Sequence, residues 1–232
     1  MSELTNISYY RLDEIKWEFL KYAPAYAQDE ARIAIERIYE LQQEGVIRDG
    51  LYYVVLMDLV GSTKFAAEYG NKEAIDRIEF FIKNSLQALN DSNVSNISLF
   101  VKEIGDAVLY VFQHFLDIIR WRSSFDSYLA AAPRRPLEVR TCVHVGEVSL
   151  TGVNPLSLAV SQTFKMEKSV EAGAIVLTDP AYNVAWPTVA RAYHGFEDYG
   201  NVELDGYPQP VPLHRLTVND EDDLKRILEE VL

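Results

Sequence analysis

The stretch from Val54 to Thr63 reads VVLMDLVGST, an apolar run that ends on a carboxylate and then turns. The residues before Asp58 are typical of a buried strand, and Thr63 opens a segment of helical periodicity that reaches about Asn90. An isolated carboxylate at the end of a buried strand is costly unless it is paired or neutralised. The stretch therefore predicts a strand, a turn and a helix, with a positive group close to Asp58.

A second acid lies in a predicted hairpin. Two β-rich runs, ISLFVKEI over residues 97–104 and AVLYVF over residues 107–112, are separated by Gly105 and Asp106. If this hairpin lies beside the first strand, Asp58 and Asp106 meet at one edge. Paired carboxylates with no basic side chain fixed between them repel each other, and a divalent cation with oxygen ligands is the common remedy. The pair therefore predicts a metal site, although turn chemistry explains each acid alone about as well.

The residues after Asp58 suit phosphate. Gly61, Ser62 and Thr63 supply backbone N–H groups and hydroxyls at the start of a helix, where phosphate oxygens bind readily. The simpler interpretation is that Ser62 or Thr63 only caps the helix.

Strands and helices alternate along the rest of the chain, with hairpins between some of them. Helical patterns cover residues 11–45 (with a break at Pro24), about 113–131, 157–172 and a short stretch from Asp179; strands are predicted at 137–148, 174–178, 189–199 and 211–217. This order predicts an α/β or α+β fold with a mixed sheet. We expect an N-terminal helical appendage over residues 1–48, one domain over residues 49–218 and a C-terminal helix over residues 219–232.

Composition excludes several classes of protein. The formal net charge of −13 argues against nucleic acid as a partner, since that binding needs clustered Lys and Arg. The longest apolar run is too short to cross a membrane, and the start lacks the pattern of a signal peptide, so we expect a cytoplasmic protein. We interpret the single cysteine, Cys142, as a small core residue. His144 and His194 lack the spacing of metal ligands, which favours structural roles for both.

Five segments between residues 58 and 182 form an ordered set, namely DLVGST, VKEIGDAVLYVF, LEVRTCVHVGEV, TGVNPLSLAVSQTFKMEK and GAIVLTDPAY. This set resembles the catalytic domain of class III nucleotidyl cyclases, and VELDGYPQPVPLHRL extends the resemblance to residue 216. The small size, the N-terminal helices and the altered pocket further resemble the bacterial pyrimidine cyclases of Pycsar antiphage systems. The resemblance implies a ferredoxin-like mixed sheet flanked by helices, with the catalytic domain at residues 49–218.

The family resemblance also implies a site. Two divalent ions, Mn²⁺ or Mg²⁺, would be held by Asp58, Asp106 and the backbone carbonyl of Leu59. The family further implies a head-to-tail homodimer with sites between subunits, in which Lys102 contacts the base from the opposite subunit. Without the family resemblance, Lys102 is explained equally well as a solvent-exposed residue on the face of a strand.

Four positions depart from the family pattern. Asn154 stands where cyclases usually carry an aspartate that reads the base, and Ser161 where an asparagine orients the ribose. Lys165 replaces the arginine that steadies the transition state, and Asp205 replaces a late phosphate-binding lysine. Without the family, Asn154 is a good turn residue, and Ser161 and Lys165 are two positions on one exposed helix face.

The base pocket gives one clue to the substrate. Lys102 only donates, so it favours a keto oxygen, whereas Asn154 donates and accepts; together they fit uracil or guanine better than adenine. The pyrimidine-cyclase resemblance then implies conversion of UTP to 3′,5′-cyclic UMP and pyrophosphate by in-line attack of the ribose 3′-hydroxyl. It also implies a second messenger in antiphage defence, read by a separate effector that the cyclic nucleotide activates. The alternatives are a cytidylate or adenylate cyclase, or a catalytically silent, cyclase-like dimer that senses nucleotides.

Overall fold

A computed structural model of the chain describes residues 48–92, 98–150, 158–189 and 195–217, with backbone only for residues 98–104. The elements are β1 Gly50–Leu59, α1 Ser62–Tyr69, α2 Asn71–Asp91, β2 Ser98–Ile104, β3 Ala107–Phe112, α3 Phe115–Ala130, β4 Val139–Val148, α4 Leu158–Met166, β5 Ile175–Thr178, α5 Asp179–Val189, β6 Phe196–Val202 and β7 Val211–Leu216. The helices predicted at residues 11–45 and 219–232 lie outside the described residues. Within those residues, no helix has the length and apolar character needed to cross a membrane.

The strands form one seven-stranded sheet in the order β2-β3-β1-β4-β5-β7-β6. Only β4 and β5 pair in parallel; the other neighbours are antiparallel. The predicted mixed sheet flanked by helices is therefore confirmed. In this register Asp58, near the end of β1, lies between Ala107 of β3 and Arg140 of β4.

Alternation along β1 assigns its side chains to two cores. Val55 and Met57 join the core formed with α2, α3 and α5. Val54 and Leu56 join the core on the opposite sheet face, which includes residues of α4 and of the β6–β7 connection; we call it the α4 face. Because successive strand residues point to opposite faces, Asp58 continues the series of Leu56 and lies on the α4 face.

The helix predicted from Thr63 to Asn90 is two helices, divided at Gly70. Gly70 has φ 91° and ψ 162°, which is not helical; its N–H donates to the Ala66 carbonyl at 2.9 Å and its carbonyl accepts from Ala74 at 3.2 Å. The prediction missed this break because both helices are amphipathic, so the apolar period runs through the division.

Two other boundaries differ from the prediction. The helix predicted over residues 157–172 ends at Met166 and is followed by one 3₁₀ turn over Glu167–Ser169. β6 begins at Phe196 rather than near residue 189, because α5 continues to Val189.

We expect Gly70→Ala to destabilise the protein. The conformation at Gly70 is open only to glycine at little cost, so a side chain there should lower the free energy of unfolding by on the order of 1–3 kcal/mol. Urea denaturation measures this, with Lys72→Ala at an exposed position of α2 as the control, expected to change stability by less than about 0.5 kcal/mol. Equal stabilities of the two variants would contradict the conclusion that position 70 requires glycine.

Candidate active site

The sheet brings the two predicted carboxylates together. β3 pairs antiparallel with β1 so that Asp58 faces Ala107, the residue after Asp106. The backbone carbonyl of Asp106 accepts a hydrogen bond from the Leu59 N–H at 3.1 Å, which ties the hairpin turn to the end of β1. The two acids thus lie at one edge, as the hairpin pattern predicts.

The surroundings of Asp58 disfavour its charged form. Burial, followed by the negative charges of Asp106 and Glu167, raises the pKa of Asp58 from 3.8 to about 6, against the opposing effect of Arg140. A carboxylate that is ionised at neutral pH in such surroundings is stabilised by any additional cation.

Arg140 is the positive neighbour of Asp58. Its Nε lies 2.9 Å from Asp58 Oδ2, and its Nη1 lies 3.2 Å from Glu167 Oε1 and donates to the Glu167 backbone carbonyl at 3.3 Å. The sequence predicts a positive group close to Asp58, and Arg140 is that group. It lies on β4, across Asp58 from the β3 hairpin that carries Asp106, so it does not stand between the two acids. A signal existed: alternation in LEVRTCVHVGEV assigns Arg140 to the same sheet face as the buried Cys142.

The contact between Arg140 and Asp58 is an ion pair without an aligned hydrogen bond. Arg140 Nε is buried and, among the described atoms, has no acceptor in hydrogen-bonding geometry, although Asp58 Oδ2 is close enough for strong charge attraction. Buried donors are nearly always satisfied in native proteins. The buried Nε faces Asp58, whereas the side chain as a whole is 23% exposed, and the other N–H groups of its guanidinium suit anionic oxygens such as those of a phosphate.

The loop after Asp58 presents a helix start that no side chain caps. Gly61, with φ 77°, is the residue before α1, and within the described residues no side chain caps the helix. Ser62 Oγ donates instead to the Leu59 carbonyl at 3.0 Å, and Thr63 is exposed. The interpretation of Ser62 or Thr63 as a simple cap is therefore wrong, and the first N–H groups of α1 keep the geometry predicted to suit phosphate.

The other predicted site residues are distributed as follows. Ser161 is exposed on α4, and Lys165 of α4 contacts the β6–β7 connection, in which Asp205 lies. Lys102 lies on β2 opposite Leu109, with its side chain outside the described part of the structure. Asn154 lies outside the described residues.

The oxygen donors near Asp58 suit a hard divalent cation. Over residues 48–92, 98–150, 158–189 and 195–217, no group of three or more His, Cys, Asp or Glu side chains is arranged to hold a metal ion. Asp58, Asp106 and the Leu59 carbonyl form a smaller set of oxygen ligands. A cation there would offset both the burial and the repulsion from Asp106 and Glu167 that raise the pKa of Asp58. The residues present therefore fit Mg²⁺ or Mn²⁺.

Two further residues on the α4 face are structural. Cys142 is fully buried, and burial raises the pKa of its thiol, as expected of a core residue. His144 is buried with its Nδ1 2.7 Å from Thr178 Oγ1, and burial lowers its pKa. His194 lies outside the described residues.

Comparison with known proteins identifies the fold. No protein-family profile and no curated protein sequence matches the chain. The adenylyl cyclase CyaB from P. aeruginosa superposes with a TM-score of 0.60 at 16% identity, over 76% of this chain and 97% of that chain. The chain has the class III cyclase fold.

Two guanylyl cyclase domains share this cyclase fold. The guanylate cyclase domain of RhGC from Catenaria anguillulae, solved in complex with GTP, matches with a TM-score of 0.59 at 16% identity over 73% of this chain and 97% of that chain. The dimeric guanylyl cyclase domain of the RhoGC fusion protein from Blastocladiella emersonii matches with a TM-score of 0.57 at 13% identity, over 73% of this chain and 98% of that chain. At sequence identities this low, the superpositions establish the fold alone, so any activity has to be argued from the site.

Proposed function

We propose that the chain is a cytoplasmic nucleotidyl cyclase that converts a nucleoside triphosphate to a 3′,5′-cyclic nucleotide and pyrophosphate. In this reaction the ribose 3′-hydroxyl gives up its proton to solvent and its oxygen bonds to the α-phosphorus. The bond from the α-phosphorus to the oxygen bridging to the β-phosphate breaks, and pyrophosphate leaves with that oxygen. The observation that carries the proposal is the pair Asp58 and Asp106 beside the guanidinium of Arg140, within a cyclase fold.

Each group near Asp58 has a place in this chemistry. Asp58, Asp106 and the Leu59 carbonyl would hold two divalent ions, Mn²⁺ or Mg²⁺, which when bound lower the pKa of the 3′-hydroxyl and neutralise the triphosphate. Arg140 would donate its N–H groups to phosphate oxygens, while Glu167 keeps the guanidinium in place.

The loop and α4 supply the remaining contacts in this proposal. The N–H groups at Gly61, Ser62 and Thr63 would bind the triphosphate. Lys165 would bring positive charge to the reacting phosphoryl group, and Ser161 would reach the ribose through a bridging water, because its side chain is short.

For the substrate we propose UTP, with cyclic UMP as the product. The support is chemical: Lys102 as a donor and Asn154 as a donor and acceptor match O4 and N3–H of uracil. CTP is the nearest rival, because the amide of Asn154 presents an acceptor when it is flipped. The resemblance to pyrimidine cyclases further supports a role in antiphage defence through a separate effector.

We also propose that the active form is a homodimer with each site between two subunits. Of the domains with this fold, the one from Blastocladiella emersonii is described as dimeric, and the one from Catenaria anguillulae was solved in complex with GTP. In this arrangement Lys102 reaches the base from the opposite subunit.

The test is to incubate the purified protein with ATP, GTP, CTP and UTP separately, with Mn²⁺, and to quantify cyclic nucleotide and pyrophosphate. We expect cyclic UMP as the dominant product, in equal amount to pyrophosphate. Dominant cyclic AMP would overturn the substrate assignment. No product from any triphosphate, with nucleotide still bound, would replace the enzyme proposal by the nucleotide-sensing dimer.

A further inference from the structure

The connection between β6 and β7 forms a cradle for the ammonium group of Lys165. A Cβ added at Gly206 would lie only 2.9 Å from Lys165 Nζ, so the ammonium occupies space that any other residue at this position would need for its side chain. Nζ also lies 5.8 Å from the centre of the Tyr207 ring, within the range of a cation–π contact. We call Gly206 and Tyr207 the lysine cradle.

The cradle is itself held in place. The Tyr207 N–H donates to the Leu204 carbonyl at 3.0 Å, closing a turn whose third residue, Gly206, has φ 79°. Leu204 is buried in the core of the α4 face, and the prolines at 208 and 210 restrict the backbone that follows. The loop thus presents the tyrosine ring from an anchored turn.

A side chain of the helix that carries Lys165 lies beside Tyr207. Gln162 lies beside Tyr207 and His144 and influences the pKa of both, and His144 Nδ1 in turn lies 2.7 Å from Thr178 Oγ1. Gln162 is three residues before Lys165 on α4, so both side chains leave the same face of the helix. One helix face therefore carries both the cation and a side chain that lies beside its aromatic partner.

Lysine on its own is a poor substitute for arginine where direction matters. Its ammonium is a point charge on a flexible stem and lacks the rigid fork of a guanidinium. The Gly206 backbone on one side and the Tyr207 ring on another define where the ammonium lies in this structure. The cradle thus gives Lys165 a defined reach that the side chain alone does not have.

We propose that Tyr207 and Gln162 are positioning residues that fix the ammonium of Lys165 for its part in cyclisation. The inference rests on the proposed function, since it assigns Lys165 to the reacting phosphoryl group. Tyr207 acts through its ring, Gln162 acts through Tyr207, and Gly206 leaves room for the ammonium. None of the three touches the substrate in this arrangement.

Kinetics give the first test. Tyr207→Leu should lower kcat roughly tenfold to thirtyfold with KM changed less than about threefold, because a misplaced charge is felt mainly in the transition state. Tyr207→Phe keeps the ring and loses the hydroxyl, so its kcat should fall only about threefold. Gln162→Leu should match Tyr207→Phe, and the double variant should be no worse than either single one.

A matched control separates positioning from packing. Tyr199 of β6 also packs on the α4 face, and its hydroxyl contacts Ser169 and Glu171 rather than Lys165. Tyr199→Leu removes a comparable ring and should leave kcat within about twofold of wild type. Equal losses of kcat in Tyr199→Leu and Tyr207→Leu would overturn the proposal.

Spectroscopy tests the geometry independently of turnover. With isotope-labelled lysine, the Hε protons of Lys165, assigned by their loss in Lys165→Arg, should be shifted by the ring current of Tyr207. That shift should vanish in Tyr207→Leu and persist in Tyr207→Phe; an unchanged signal in Tyr207→Leu would overturn the cradle. Failure of the proposed function appears separately, as a wild-type protein that forms no cyclic nucleotide while the ring-current shift is present.

Discussion

Asp58→Asn should reduce cyclic nucleotide formation at least about a thousandfold, a loss of about 4 kcal/mol of transition-state stabilisation. The amide keeps the shape of the side chain but carries no charge, so it cannot balance a divalent cation beside Asp106. Initial rates with saturating Mn²⁺ and nucleotide measure the loss. The control is Asp76→Asn on the exposed surface of α2, which should retain full activity.

The same variant should be more stable than wild type at neutral pH. The pKa of Asp58, about 6 in the folded protein against an ordinary value of 3.8, means that the folded state holds the extra proton between these values. The free energy of unfolding therefore falls as the pH rises from about 4 to about 6 and is level above that range. At pH 7.5 Asp58→Asn should recover on the order of 2 kcal/mol.

Urea denaturation in EDTA at pH 4 and at pH 7.5 tests this sign. The two proteins should be nearly equal at pH 4 and separate at pH 7.5, with Asp58→Asn the more stable. Asp76→Asn should show no such separation. A less stable Asp58→Asn at pH 7.5 would mean that the ion pair with Arg140 outweighs burial and the repulsion from Asp106 and Glu167.

Arg140→Gln should have the opposite effect on stability. It leaves Asp58 and Glu167 as neighbouring, partly buried acids without their shared cation. Removing one partner of a fully buried pair costs about 3–5 kcal/mol, and with Arg140 23% exposed we expect about 2–3 kcal/mol, growing as the pH rises. The variant should also raise the KM for the triphosphate, because the N–H groups offered to phosphate are gone.

A double-mutant cycle isolates the ion pair. In the Asp58→Asn background, Arg140→Gln should cost at least about 1 kcal/mol less than in wild type, because one of the two acids is already neutral. Arg215→Gln is the matched control: its contacts to Glu171 and Glu197 are both 3.7 Å and exposed, so its cost should be below about 1 kcal/mol. Additive costs at Asp58 and Arg140 would show that the two charges do not interact.

The sequence predicted the parts of the fold that depend on local pattern. Alternating and periodic apolar residues located the strands and most helices, and the glycine between two β-rich runs located the hairpin that carries Asp106. Gly70 was passed over because an apolar period continues across it, and the ends of α4 and β6 were misplaced because propensity changes gradually there.

The residues of the candidate site differ in the same way: some are signalled by local sequence pattern, and others depend on contacts between distant parts of the chain. Asp58 and Asp106 were found because each ends or interrupts an apolar run, a signal that is local. Arg140 was not found because its importance depends on the register between β1 and β4, whose paired residues lie far apart in the chain. Tyr207 was missed for a similar reason: its contact with Lys165 joins a helix to a distant loop.

The sheet order also bears on how the chain matures during synthesis. Once residues up to Phe112 have emerged, β3 can pair with β1 and hold Asp58 beside Asp106, but Arg140 and Glu167 have not yet been made. The half-formed sheet then carries two neighbouring acids without the cation that pairs with Asp58 in the complete sheet. The order of synthesis thus leaves a stage at which a divalent ion can screen these acids before Arg140 is in place.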